Sequence, residues 1–138
     1  MEARRIRFQI HGSRRAGALV SVEELRNVPF SIKRVYYLYD LDNNTIRGCH
    51  AHKSLQQVII CVHGSCRVVL NDGKERLSVT LDRPDEGLFI PESVWRELSG
   101  FSSDTVLLVL ASEYYDEADY IRDYEEFLNY VKERENTE

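Results

Sequence analysis

The stretch Arg47–Leu70, RGCHAHKSLQQVIICVHGSCRVVL, decides the fold class. Gln57–Val62 is a continuous apolar run, His63-Gly64-Ser65 turns the chain, and Cys66–Leu70 returns. Upstream of them, Arg47–His52 reads as a short strand that carries polar residues where an apolar face is expected. The chain here moves strand by strand.

The same reading extends in both directions. Asn71-Asp72-Gly73 is a hairpin turn, Arg76–Leu81 alternates, and Gly87–Pro91, Val94–Leu98 and Thr105–Ala111 follow as strands. Toward the N-terminus, Arg4–Ile10 alternates, with Ile6, Phe8 and Ile10 on one face, and Gly17–Val22 follows. Phe30–Leu41, FSIKRVYYLYDL, places Lys33, Val35, Tyr37 and Tyr39 on one face and Arg34, Tyr36 and Leu38 on the other; Asp42-Asn43-Asn44 then turns the chain. About ten short strands over residues 4–112 predict an all-β sandwich or barrel. The period changes near residue 116. Tyr120, Ile121, Tyr124, Phe127, Leu128 and Val131 recur at spacings of three and four, which predicts a C-terminal α-helix over about 116–134. A chain of 138 residues is expected to form one domain, 1–138.

Apolar residues are 43% of the sequence and charged residues 30%, the balance of a globular protein and not of a disordered one. The net charge of −5 argues against a protein that holds nucleic acid, while a local basic site for a small phosphorylated ligand stays open. No apolar run reaches the roughly 18–20 residues that cross a bilayer, and the basic N-terminus lacks the apolar core of a secretory signal. The cytoplasm is the expected location. Cys49, Cys61 and Cys66 are odd in number and none forms a C-x-x-C pair, so they read as reduced thiols packed like small apolar residues.

His50 and His52 are the strongest chemical signal. Two apart on a strand, their rings project from one face, as a metal site, an acid/base pair or a binding surface requires. The surrounding text resembles the cupin superfamily. Its first motif has the form G…H-x-H-x(3,4)-E-x6-G, and here His50-x-His52 is followed by Gln57 and then Gly64. Its second motif, P-x-G-x-x-H, is matched by Pro91–Arg96. An amide thus stands at the acidic ligand position and a guanidinium at the third histidine. Zinc or iron sites ordinarily use at least three good protein ligands, and a fixed cation repels the ion, so no metal is expected. The imidazoles are left free for proton transfer near neutral pH.

Longer stretches narrow the resemblance. PFSIKRVYY (29–37), RGCHAHK (47–53), GSCRV (64–68) and LLVLASEYYDE (107–117) resemble the sugar-nucleotide 3,4-ketoisomerases, the metal-free WxcM-like cupins. The resemblance runs from about Gly17 to Tyr130. It implies a cupin-type jelly-roll barrel, a homodimer with exchanged N-terminal strands, and no cofactor. The implied substrate is a dTDP-linked 4-keto-6-deoxyhexose, and the product its 3-keto isomer, a precursor of 3-amino-3,6-dideoxy sugars in surface polysaccharides or glycosylated natural products. In that chemistry a neutral imidazole removes the proton α to a ketone while the enolate is stabilised. His50 is assigned as the base at C3, and His52 and Tyr37 as groups that hold or shuttle protons on the two oxygens.

The resemblance gives Arg47 a role at the diphosphate or the sugar. A regular strand would turn Arg47 away from the histidines, and Gly48 is the residue that permits a bulge to turn it inward. Arg34 has a similar role by resemblance. Gln57 either hydrogen-bonds the sugar or sits in the core with its amide satisfied. Arg96 stands where relatives have W-H-E, and either changes the reaction or its stereochemistry or pairs with a phosphate or carboxylate. Ala16 stands where relatives have an arginine, for which Arg15 is the substitute. His11 and His63 have no assigned role. Two rival readings remain: a 3,5-epimerase of the same substrate class, and a non-catalytic cupin that binds a sugar nucleotide or a partner.

Overall fold

The computed structural model describes residues 1–13 and 15–137. Its strands are β1 (Arg4–Arg7), β2 (Ile10–Ser13), β3 (Gly17–Val20), β4 (Arg34–Leu38), β5 (Arg47–His52), β6 (Gln57–His63), β7 (Cys66–Asn71), β8 (Arg76–Leu81), β9 (Glu86–Ile90), β10 (Trp95–Ser99), β11 (Val106–Ala111) and β12 (Tyr120–Ile121). Helix α1 (Tyr124–Thr137) closes the sequence of elements. Two five-stranded sheets, in the orders β1-β9-β6-β11-β4 and β12-β5-β10-β7-β8, face each other as a jelly roll, and β2-β3 forms a separate hairpin.

Alternation along β6 shows how the sequence builds the barrel. Ile59 and Cys61 enter the core between the sheets, while Val58 and Ile60 pack outward against Phe8, Val28, Phe30 and Phe89. Both faces of this central strand are therefore apolar, which is why Gln57–Val62 reads as a continuous run rather than an alternation. The first residue of β6, Gln57, is also buried, at the end of the barrel where the interior changes character. The outer face of the second sheet is covered by α1, with Phe127 packed on Trp95 beside Ala51 and Ile121.

Several expected boundaries move. The expected strand Arg4–Ile10 breaks after Arg7, and Ile10 starts the hairpin instead. Phe30–Leu41 shortens to Arg34–Leu38. The helix begins at Tyr124 and not near residue 116, because Tyr120 and Ile121 pair antiparallel with His52 and Ala51 of β5. Asp123 caps it by accepting the Glu126 backbone N–H at 3.0 Å. Spacings of three and four across 120–131 thus arise from a strand followed by a helix, both packed on one layer. Cys61 and Cys66 are buried as expected, whereas Cys49 is exposed.

Candidate active site

A cavity of about 540 Å³ opens at one end of the barrel. Its inner end is apolar, formed by Leu38, Ile59, Leu98 and Val109; its outer part is polar, with Arg34, Tyr36, Arg47, His50, Gln57 and Arg96. The change follows position along each strand: on β4, β6 and β10 the polar residue and the apolar one two places on share the inward face.

The conformation of β5 decides which side chains enter. His50 pairs with Arg96 and Gly48 pairs with Glu97, so one extra residue, Cys49, is inserted opposite β10. Gly48 and Cys49 both have positive φ, 82° and 55°. A Cβ on Gly48 would come within 3.0 Å of the Arg96 carbonyl oxygen, so glycine serves both the conformation and the close approach. The bulge shifts the alternation by one residue, and Arg47 and His50, three apart, both line the cavity.

The two histidines touch. Their Nε2 atoms lie 3.1 Å apart and the rings meet edge to face. Outward from this contact, His50 Nδ1 is 3.0 Å from the Gly48 carbonyl oxygen and His52 Nδ1 is 3.2 Å from Asp119 Oδ2. Both outer partners are acceptors. They assign a proton to each Nδ1, which leaves two Nε2 lone pairs converging. Three hydrogen-bond positions then hold two protons, and one further proton between the Nε2 atoms would complete the line. The Asp119 carboxylate is itself fixed, since it accepts the backbone N–H groups of Ser54 (2.8 Å) and Leu55 (3.3 Å).

The electrostatics keep both rings neutral at rest. Burial, followed by the nearby Arg96 charge, lowers the His50 pKa to about 4 and the His52 pKa to about 2. Arg96 is buried without a carboxylate partner; burial lowers its pKa, to about 10, and it stays charged at neutral pH. Arg34 lies over the rings of Tyr36 and Tyr115, and its Nε and one Nη are buried without a partner. Among the described residues no carboxylate pairs with Arg34, Arg47 or Arg96, so the cavity is built to receive an anion.

The expected site residues divide clearly. Arg34, Arg47, His50, Gln57 and Arg96 line the cavity, and His52 lies directly behind His50, fully buried. Tyr37 does not join them: it is 63% exposed on the outer face of β4, and its neighbour Tyr36 enters the cavity instead. Leu38, packed against the core, marks the inward face of this strand and could have identified Tyr36 from the sequence. Arg15 is exposed at the turn of the β2–β3 hairpin and does not line the cavity of its own chain. Sequence reading missed Asp119, Tyr120 and Arg122, because it placed Asp119 and Tyr120 in or beside the first turn of a helix. Tyr120 packs on both histidine rings, with centroids 5.0 and 4.3 Å away, and Arg122 lies 4.2 Å over Tyr120.

Residues 1–132 match the family model described as FdtA, WxcM-like, C-terminal. The chain belongs to this family. It is 55% identical over 115 residues, 83% of each chain, to the TDP-4-oxo-6-deoxy-α-D-glucose-3,4-oxoisomerase of Aneurinibacillus thermoaerophilus. A 3,4-ketoisomerase structure from Helicobacter canadensis superposes with a TM-score of 0.92 at 48% identity, covering 96% of this chain and 98% of that one. A histidine-to-asparagine mutant of the 3,4-ketoisomerase from Thermoanaerobacterium thermosaccharolyticum, in complex with TDP-4-keto-6-deoxyglucose, gives 0.91 at 42% identity, covering 96% and 95%. The cupin-like barrel is thus common to this chain and to enzymes of one reaction class.

Proposed function

We propose that this protein is an isomerase that moves the carbonyl of a TDP-linked 4-keto-6-deoxyhexose from C4 to C3. The observation that carries this reading is the His50–His52 pair, neutral and tautomerically fixed, inside a cavity with unpaired guanidinium groups. His50, the histidine that lines the cavity, removes the C3 proton. His52 Nε2 supports it by sharing that proton, which exchanges with solvent before a proton is delivered to C4. Tyr36, in place of the expected Tyr37, holds a proton on the substrate oxygen as the enediol forms. Arg34 and Arg47, around the polar part of the cavity and without carboxylate partners, hold the diphosphate.

No metal is needed in this scheme. The donor set opposes one: the Gln57 amide oxygen already accepts from Arg96, whose charge occupies the third-ligand position. Free Cys49, Cys61 and Cys66 support a reducing compartment, the cytoplasm. Among the described residues no helix is long and apolar enough to cross a membrane.

A homodimer with exchanged N-terminal strands is part of the proposal. Ile10 and Leu19 of the detached hairpin are exposed, as are Val35 and Tyr37 on the outer face of edge strand β4. Two such apolar surfaces match each other across a second copy. The exchange would also carry Arg15 toward the partner. The 3-keto product is the carbonyl substrate of a 3-aminotransferase, which supports a place before amination.

Incubation with TDP-4-keto-6-deoxyglucose in deuterated water tests the reaction. Ketone transfer labels C4, whereas 3,5-epimerisation exchanges C3 and C5. His50→Asn is expected to abolish turnover while dTDP binding persists. Retained activity in that variant removes the base assignment, and dTDP binding by the wild type without conversion favours a non-catalytic binding protein.

A further inference from the structure

Three polar groups of the cavity wall, the buried Arg96 and Gln57 and the half-buried Tyr36, form one hydrogen-bonded line. Arg96 donates through Nη1 to Gln57 Oε1 and through Nη2 to the Val94 carbonyl oxygen at 3.0 Å. Gln57 donates through Nε2 to Tyr36 Oη at 2.9 Å. One end fixes the polarity of the whole line. A guanidinium has five donors and no acceptor, so the Gln57 amide must turn its oxygen to Arg96 and its NH₂ to the phenol. The Tyr36 oxygen accepts that bond, and its single proton must be directed elsewhere.

Tyr36 lines the cavity together with His50 and Arg34. We infer that Arg96 and Gln57 are positioning residues which turn the Tyr36 hydroxyl proton toward the bound sugar, acting through the phenol and not through contact with substrate. This rests on the reading of Tyr36 as the group that holds a proton on the substrate oxygen. Arg96 has a second effect in the same direction. Burial raises the Tyr36 pKa, and the Arg96 charge opposes that rise, so the phenol gives up its proton more readily than burial alone would allow.

The arrangement has a feature that simple packing does not explain. Arg96 and Gln57 are each only 2% exposed and sit where the barrel interior gives way to apolar residues. An apolar pair of similar volume would fill the space without burying a cation. The bond polarity imposed on Tyr36 is what the polar pair adds.

Gln57→Glu tests the inference with almost no change of shape. A carboxylate accepts at both oxygens, so it takes bonds from Arg96 and from Tyr36, and the phenol proton is drawn away from the sugar. The expected result is a kcat lower by about tenfold or more, with KM and dTDP affinity within about twofold and a melting temperature unchanged or raised. Tyr36→Phe is expected to lower kcat as well, and the double variant to fall within about twofold of Tyr36→Phe alone, since Gln57 acts only through the phenol.

Wild-type kcat in Gln57→Glu overturns the inference, and so do losses that multiply in the double variant. Wild-type kcat in Tyr36→Phe instead sinks the underlying assignment of Tyr36, whatever Gln57→Glu does. If Gln57→Glu does not fold, Arg96→Met carries the test. The amide is then free to turn, and kcat falls while dTDP affinity is kept. An unchanged kcat, or a loss confined to dTDP affinity, overturns the inference.

Discussion

His52 presents Nδ1 to the Asp119 carboxylate at 3.2 Å, a contact between residues 67 positions apart in the chain. The tautomer of His52, and through it the free lone pair that faces His50, depends on this acceptor. Asp119 does not line the cavity that His50 enters, and it acts by orienting the imidazole.

Asp119→Asn should therefore lower kcat by about 10²-fold, the lower end of what general acid–base catalysis supplies, with dTDP affinity unchanged. The amide keeps its oxygen on the Ser54 N–H and turns its NH₂ to His52, which forces the ring proton onto Nε2. Steady-state kinetics with calorimetric dTDP titration checks this. Full kcat in the variant would show that the tautomer is set by something else.

The pH dependence follows from the depressed histidines. An exposed imidazole loses its base function below about pH 6.5. With the His50 pKa lowered to about 4, kcat/KM should stay level through pH 6 and decline only as pH approaches 4. An acid limb with its midpoint near 6.5 contradicts the buried, neutral pair.

The same shifts act on stability with a definite sign. The folded-state values lie below the unfolded ones, so between pH 6.5 and about 4 the unfolded chain binds protons that the folded chain refuses. Stability is full above pH 6.5 and falls with acidification, by up to about 1.4 kcal/mol per pH unit for each histidine. Urea denaturation at several pH values should show this slope, and His50→Asn should reduce it.

Tyr37 lies outside the cavity, so Tyr37→Phe should leave kcat within about twofold. Tyr37→Glu places a charge on the outer face of β4 and should weaken self-association in sedimentation experiments. A large kcat loss in Tyr37→Phe would return Tyr37 to the chemistry.

Phe127 is fully buried between α1 and the outer face of the second sheet. Phe127→Ala should cost about 3–5 kcal/mol by denaturant titration, as expected for a large aromatic removed from a core. A change below about 1 kcal/mol would mean that α1 can slide to refill the space.

Strand order was less legible than strand existence. The apolar runs and turns of Arg47–Leu81 give their strands almost to the residue, because hairpin turns and side-chain alternation are local properties. Tyr36 and Tyr37 show the limit. The alternation separates their faces, but only a neighbour of known burial, Leu38, says which face is inside. Asp119 and Tyr120 were illegible for a different reason. A two-residue strand has no period of its own, and its register with His52 and Ala51 exists only in three dimensions. The bulge at Gly48–Cys49 falls between these cases: the glycine signals it, and the pairing with Arg96 and Glu97 fixes where the extra residue goes.

The seating of Tyr120–Ile121 on β5 has a consequence for biosynthesis. A nascent polypeptide can fold most of its barrel while this segment is still inside the ribosomal exit tunnel, yet the carboxylate behind the inner imidazole and the ring that packs on both arrive only with that segment. Newly made chains should thus pass through a folded but inert stage, and competence should appear only once that segment has emerged and paired.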